Sequence, residues 1–366
     1  MRVSRLVPQR IAAEIGSALP EAIQRVLDSG CYIGGYEVEA FESECCQYLG
    51  CRAAVSCASG TDALELALRS LHLRPDSRVA TTAFTFAATA SAIVAAGLRP
   101  FFLDIDPDTM QICPDALRDA SADGIEAVVP VSLYGRPLDS CIFDVASDAG
   151  IPVVEDACQA FGSGPPSGRT GVRATLTAFS FFPSKPLGCI GDGGMVVTSD
   201  TALAERVRSL ARHGVRDQKH LPEVLGRNSR LDALQAAILR AKLPYVDHWR
   251  HRRERQSLRY RDALSSTVRV PSYSAHHAWA LYTIRTQQRD ELAMELRSRG
   301  VDAAVFYPTG LHMTPAFRSA VRLPNTERAA SEVLSLPISA SMREVEQSRV
   351  VSLVLDLAHK HGGNQG

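Results

Sequence analysis

Between Ala53 and Asp200, short β-rich runs alternate with helical ones, and this alternation constrains the fold of the 366-residue chain more than any other feature. The strand candidates are AAVSC (53–57), RVATT (78–82), PFFLDI (100–105), AVVPVS (127–132), IPVVED (151–156), TAFSFF (177–182) and GMVVTS (194–199). Their near-continuous apolar content is the pattern of strands buried on both faces. Helical runs at Thr61–Leu71, Pro114–Ala120, Asp139–Ala149 and Thr201–His213 lie between them. Repeated β-α-β units of this kind predict an α/β fold with a mostly parallel central sheet covered by helices. Ligands of such sheets sit beyond the carboxyl ends of the strands, so residues that follow each strand are the first candidates for chemistry.

Two domains are expected: residues 1–244 as a large α/β domain with an N-terminal segment, and 245–366 as a smaller α+β domain built from a basic helix (245–264), WALYTIRT (279–286), a helix near Arg289–Arg299 and VDAAVFYP (301–308). Lys plus Arg (40) balance Asp plus Glu (40), so no global charge favours nucleic acid or an anionic membrane. The basic helix, with Arg250, Arg252, Arg253, Arg255, Arg259 and Arg261, reads as a solvated face rather than a nucleic-acid patch. Val79–Leu98 is free of charge and long enough to span a bilayer. Its threonines and alanines make a buried strand, a turn and a helix the better reading. The nine cysteines are odd in number and lack paired CxxC spacing, which points to no metal site and to a reducing cytoplasm; the N-terminus lacks the apolar core of a signal peptide.

Three segments could carry chemistry. In FSFFPSKPLGCIGDGG (179–194), Lys185 follows a strand end between two prolines and ahead of a glycine-rich turn. A lysine in a partly apolar site can lose its proton and act as a nucleophile or base; a structural hairpin would look the same. IPVVEDACQAFG ends an apolar strand on Glu155 and Asp156. These carboxylates could cap or pair internally, or one could hold a proton on a cofactor ring nitrogen, with Gln159 three residues on. In VSCASGTDALELALRSL, the turn at Gly60 and Thr61 opens a helix, which makes either an anion site or a plain cap. Phe84 or Phe86, past the next strand, could stack on a planar ring or fill the core. Phosphate cradle, ring stacker, pyridinium partner and amine nucleophile, in the order Gly60/Thr61, Phe86, Asp156, Lys185, make the parts of a pyridoxal-phosphate (PLP) enzyme of fold type I.

The ordered motifs YIGGYEVEAFE, SGTDALELAL, FTFAATASAIVAAG, FLDIDPDT, PVSLYGRPLD, PVVEDACQAFG, FSFFPSKPLGCIGDGGMVVT, RHGV, NSRLDALQAAIL and FYP run through nearly the whole chain. Together they resemble the DegT/DnrJ/EryC1/StrS family of PLP-dependent sugar aminotransferases. The resemblance implies that Lys185 links covalently to PLP, Asp156 pairs with the ring nitrogen, Gln159 approaches the ring hydroxyl and Phe86 stacks on the ring. It implies phosphate contacts from Gly60, Thr61 and Ser180. It also implies a homodimer in which Asn228 holds the phosphate of the partner's cofactor, with Arg230 and Tyr307 near the substrate. Lysine at 185 favours transamination over the sugar-dehydratase branch, which carries histidine there. FFPSKPLGC, PVSLYG and YTI look most like members that aminate a UDP-linked 3-keto-hexuronic acid for O-antigen synthesis, with glutamate as donor. Phe306, where histidine is common, and the loop GSGPPSGRTG depart from the usual pattern near the substrate. A dTDP- or UDP-linked 3-keto or 4-keto deoxysugar, and a PLP-binding regulator without turnover, are the alternatives.

Overall fold

A computed structural model of the chain describes residues 1–216 and 221–362. Seven strands form the main sheet: β1 (Ala53–Cys57), β2 (Arg78–Thr82), β3 (Arg99–Leu103), β4 (Ala127–Val129), β5 (Val154–Asp156), β6 (Leu176–Ser180) and β7 (Gly194–Thr198). Strands order as β3-β2-β4 and β5-β6-β7-β1. Parallel bridges from Val128 to Val153 and from Val131 to Asp156 join the two groups into one layer. All pairings are parallel except those of β7, which runs antiparallel to both β6 and β1.

Side-chain alternation puts successive residues on opposite faces of this layer. Val55, Ala178 and Val196 pack with Leu64, Leu68 and Ile93 on one side. Ala54, Phe179 and Val197 pack with Phe41, Leu49 and Ala236 on the other. Both faces are therefore dry, as the apolar runs require. Two expected strands are shorter than their apolar runs: AVVPVS is regular over Ala127–Val129 and IPVVED over Val154–Asp156. Pro130 has no N–H to continue the ladder, but its carbonyl still accepts the Asp156 N–H at 2.9 Å. The charge-free stretch Val79–Leu98 is β2, a turn and the helix Ala87–Ala95. No helix among the described residues is long and apolar enough to cross a membrane.

The remaining strands, β8 (Tyr282–Arg285) and β9 (Val333–Leu336), form an antiparallel pair. Tyr260, Tyr282, Ile284, Leu296, Leu334 and Val354 fill the core beneath the helices Val246–Leu264, Arg289–Ser298 and Glu344–Gly362. VDAAVFYP contributes bridges rather than a strand: Val301 pairs with Val3 and Ala304 with Ser335. β9 has no counterpart in the sequence reading, because SEVLSLP runs on from a helical stretch without a turn residue.

Candidate active site

β5 delivers Asp156 to the carboxyl edge of the sheet, buried at 6% exposure. Its Oδ2 accepts the Thr89 hydroxyl at 2.7 Å and its Oδ1 accepts the Cys158 N–H at 3.2 Å. Both partners are neutral, so this carboxylate is neither the helix cap nor the ion pair that sequence allowed. Alternation sends Glu155 to the other side, where Oε1 accepts the Ser132 hydroxyl at 2.6 Å. Burial pushes the Glu155 carboxyl up to about 7, with neighbouring Asp156 adding to the rise against the bond from Ser132.

Gln159 follows in a turn rather than a helix. Its Oε1 accepts the Tyr134 N–H at 2.7 Å, and its Nε2 donates to the Tyr307 hydroxyl at 3.2 Å. The amide thus has one orientation, and it ties the β5 exit to the segment that carries Tyr307. Burial pushes the Tyr307 hydroxyl up, with the Asp156 charge as the second cause. The phenol therefore stays protonated beside the carboxylate.

The expected phosphate cradle falls where three segments crowd together. Ser59 caps the helix Gly60–Ser70, its side chain accepting the Asp62 N–H at 3.1 Å. A Cβ at Gly60 would lie 2.6 Å from Ser180 Cβ and 2.9 Å from Cys158 Sγ, so only glycine lets the β1 turn meet the ends of β5 and β6. The helix N-terminus presents backbone N–H groups and the positive end of its dipole at that point. Ser180 is buried in the floor and Thr61 is exposed at the first turn.

Lys185 lies in the β6–β7 connection, half-buried, its N–H bonded to the Phe182 carbonyl at 2.9 Å. The connection is closed by Phe181 N–H to Gly193 and Cys189 N–H to Phe181, each 2.8 Å. Burial raises the Cys158 thiol, the Asp156 charge adds to this, and the Lys185 ammonium opposes it. Lys185 thus lies in the same electrostatic neighbourhood as the carboxylate and the cradle.

The two candidate stackers separate clearly. Phe84 is fully buried core, edge-on to Tyr307 at 6.1 Å. Phe86 is 59% exposed and tilted 32° to Tyr307 at 6.3 Å, so its ring is the one free to cover a ligand. Asn228 and Arg230 make no side-chain bond to this group among the described residues. Both are exposed and bonded to each other at 2.8 Å, while Ser229 between them is buried and donates to Asp62 at 2.6 Å. Sequence reasoning missed Thr89, Tyr134 and Cys158. Thr89 carries a faint signal, as one of the threonines that made Val79–Leu98 a poor membrane span.

These groups fit PLP. The glycine-lined cradle suits a phosphate, the buried carboxylate with neutral donors suits a protonated pyridine nitrogen, and a half-buried lysine stands within the same field. A PLP enzyme of fold type I is the class of protein that carries such groups at these strand ends. The chain belongs to the DegT/DnrJ/EryC1/StrS aminotransferase family, whose model matches residues 13–355. It is 39% identical to the dTDP-3-amino-3,4,6-trideoxy-alpha-D-glucose transaminase of Streptomyces venezuelae, over 95% of this chain and 94% of that one. It is also 39% identical to the UDP-2-acetamido-2-deoxy-3-oxo-D-glucuronate aminotransferase of Pseudomonas aeruginosa, over 89% and 92%. Its fold is similar to that of NtdA from Bacillus subtilis, solved with its cofactor PMP, with a TM-score of 0.91, 30% identity and coverage of 98% and 85%. The chain is thus a PLP-dependent aminotransferase.

Proposed function

We propose that the enzyme moves an amino group from L-glutamate to a nucleotide-linked keto sugar, a UDP-linked 3-keto-hexuronic acid, for cytoplasmic assembly of an O-antigen sugar. The observation that supports the reading is that Asp156, held by Thr89, and Gln159, bonded to Tyr307, leave β5 beside the Gly60 turn, with Cys158 in contact with that turn and within the field of Lys185. The identity of the sugar rests on the Pseudomonas relative and on the motifs around Lys185. A dTDP-linked 3-keto deoxysugar is the second reading, favoured by the equally similar Streptomyces relative.

When bound, PLP supplies a conjugated ring that takes up the electron pair released at the Cα of the amino acid. Asp156 keeps the proton on the ring nitrogen that makes this uptake favourable. The Lys185 amine would serve as the base that moves the proton released at Cα. Gln159, fixed by Tyr134 and Tyr307, orients toward the ring hydroxyl. Phe86 would cover the ring, while Gly60, Thr61 and Ser180 would hold the phosphate.

In this reading, residues 1–244 carry the cofactor, 245–366 form the smaller domain, and two copies complete each other's sites through Asn228 and Arg230. An exposed apolar face supports the dimer. Tyr32, Ile33, Tyr36 and Ile190 are each about half exposed or more and lie along the helix Ala233–Lys242. Ile33 bridges to Asp232, the Tyr32 carbonyl accepts the Ala233 N–H, and the Ile190 N–H meets Gln235. Arg230, exposed beside this face, supplies local positive charge for a diphosphate in a chain of zero net charge.

The reverse reaction tests the proposal. The PLP-loaded protein is mixed with amino-sugar nucleotides, and conversion to PMP is followed by absorbance. Turnover with UDP-linked 3-amino uronic sugars is expected. Turnover with dTDP-linked amino sugars alone would move the substrate to the second reading. Inertness toward glutamate and every amino sugar would leave a PLP-binding regulator.

A further inference from the structure

The basic helix Val246–Leu264 does not present one solvated face. Arg250 and Arg253 turn inward, at 5% and 6% exposure. Arg261 leans over Tyr273. Arg252, Arg255 and Arg259 instead form one wall of a cleft of about 360 Å³. The helix Pro8–Ile15 supplies Arg10 and Glu14, and the start of the helix Glu344–Gly362 closes the third side. Ile11, Ile15, Tyr245, Trp249 and Ala340 pack together beside it, so these walls share a rigid base.

The charges in this cleft are unevenly matched. Arg252 pairs with Glu14 at 2.8 Å, and Arg10 pairs with Glu346 at 2.8 Å. Glu346 also accepts from the backbone and side chain of Arg343, at 2.8 and 3.0 Å, and its carboxyl is held down to about 2. Those two pairs are fixed. Among the described residues Arg259 has Glu344 as its ion-pair partner, at 3.1 Å, and the two side chains are 47% and 87% exposed. Such an exposed bridge contributes little and exchanges readily. Arg255, four residues before Arg259 and one turn away on the same face, has no ion-pair partner among the described residues. If Glu344 swings out, two guanidinium groups face the cleft without an ion-pair partner among the described residues, Glu14 being engaged by Arg252, beside the positive end of a 19-residue helix.

We propose that this cleft binds a phosphomonoester dianion of a small metabolite, clamped by Arg255 and Arg259. Guanidinium forks match phosphate oxygens two at a time, and two adjacent forks match a double negative charge. The volume lies in the range of small-ligand clefts and admits a sugar phosphate or a mononucleotide. Arg10, Glu14 and Arg252 form the fixed rim, and Glu344 is the competing anion. The site is separate from the cofactor site and does not depend on which sugar the enzyme aminates.

The test is calorimetric titration of the PLP-loaded enzyme with inorganic phosphate, glucose 6-phosphate and UMP. Saturable binding of at least one phosphate monoester is expected, with the ranking of glucose 6-phosphate and UMP identifying the source. Arg255→Ala/Arg259→Ala should weaken binding at least tenfold, with Arg261→Ala, on the same helix outside the cleft, within twofold of the native protein. Glu344→Gln should tighten it severalfold, an effect that binding at the nucleotide-sugar site would not show. Unchanged melting temperatures establish that the variants fold. No saturable binding, or binding indifferent to both Arg255→Ala/Arg259→Ala and Glu344→Gln, overturns the proposal.

Discussion

The Thr89 hydroxyl donates to Asp156 Oδ2 across 2.7 Å, from the helix Ala87–Ala95 to the end of β5. This bond satisfies one carboxylate oxygen without neutralising it. The bond orients the carboxylate toward the ring nitrogen proposed above. Asp156→Asn removes the charge and should lower the rate of glutamate-dependent PMP formation by about a thousandfold. Thr89→Val removes only the orienting bond, worth about 1 kcal/mol, and should cost about tenfold or less. Stopped-flow absorbance compares the two, and equal losses would contradict this division of roles.

Gly60 provides a second prediction. A methyl group there meets Ser180 and Cys158 at distances that no real Cβ tolerates. Gly60→Ala should cost about 1–3 kcal/mol through overpacking. It should also weaken PLP binding more than it lowers the melting temperature of the cofactor-free protein, because the shift falls on the cradle. Parallel titration and thermal melts separate the two effects.

Glu155 predicts a pH dependence opposite to that of most carboxylates. Its folded-state value, about 7, lies above the ordinary carboxyl value of the unfolded chain. The folded state therefore holds the proton more tightly. The resulting stability is fully present below the unfolded value and is lost as pH rises through about 7. For a fully buried group this is on the order of 1–3 kcal/mol. Glu155→Gln, which cannot ionise, should flatten the stability profile between pH 5 and about 8, as measured by denaturant melts.

Arg169 donates to both oxygens of Asp247, at 3.0 and 2.8 Å, and lies 4.1 Å from the centre of the Tyr48 ring. It fastens the loop 162–171 to the basic helix. Arg169→Met leaves Asp247 with the Tyr48 hydroxyl as its remaining side-chain donor at 2.9 Å. Asp247 is itself partly exposed, so the expected cost is about 1–3 kcal/mol. A double-mutant cycle with Asp247→Asn should recover most of it as coupling.

The strands were legible because burial on both faces of the sheet demands unbroken apolar runs, as in AAVSC and GMVVTS. Their ends were less so, because hydrogen bonding rather than hydropathy stops them, as Pro130 does after β4. Lys185 and Gly60 could be found as candidates from their places after strand ends, and Asp156 from its place at one. Thr89, Tyr134 and Cys158 could not, since each acts through a partner at least 25 residues away or through backbone geometry that leaves no local pattern. The arginines of the basic helix were visible as a group, but composition could not divide the inward pair from those that line the cleft. Their direction depends on which neighbours pack against each face.

The antiparallel course of β7 has a practical consequence for engineering. Lys185 sits in a hairpin whose two arms are both internal strands of the sheet, paired from Thr177 with Val197 to Ser180 with Gly194. A residue inserted within either arm cannot be absorbed by sliding, because each arm is held by a second neighbour. Permuted termini or inserted sequences placed within β6 or β7 should abolish the fold, whereas the exposed tip at Pro165, Pro166 and Ser167 should accept them.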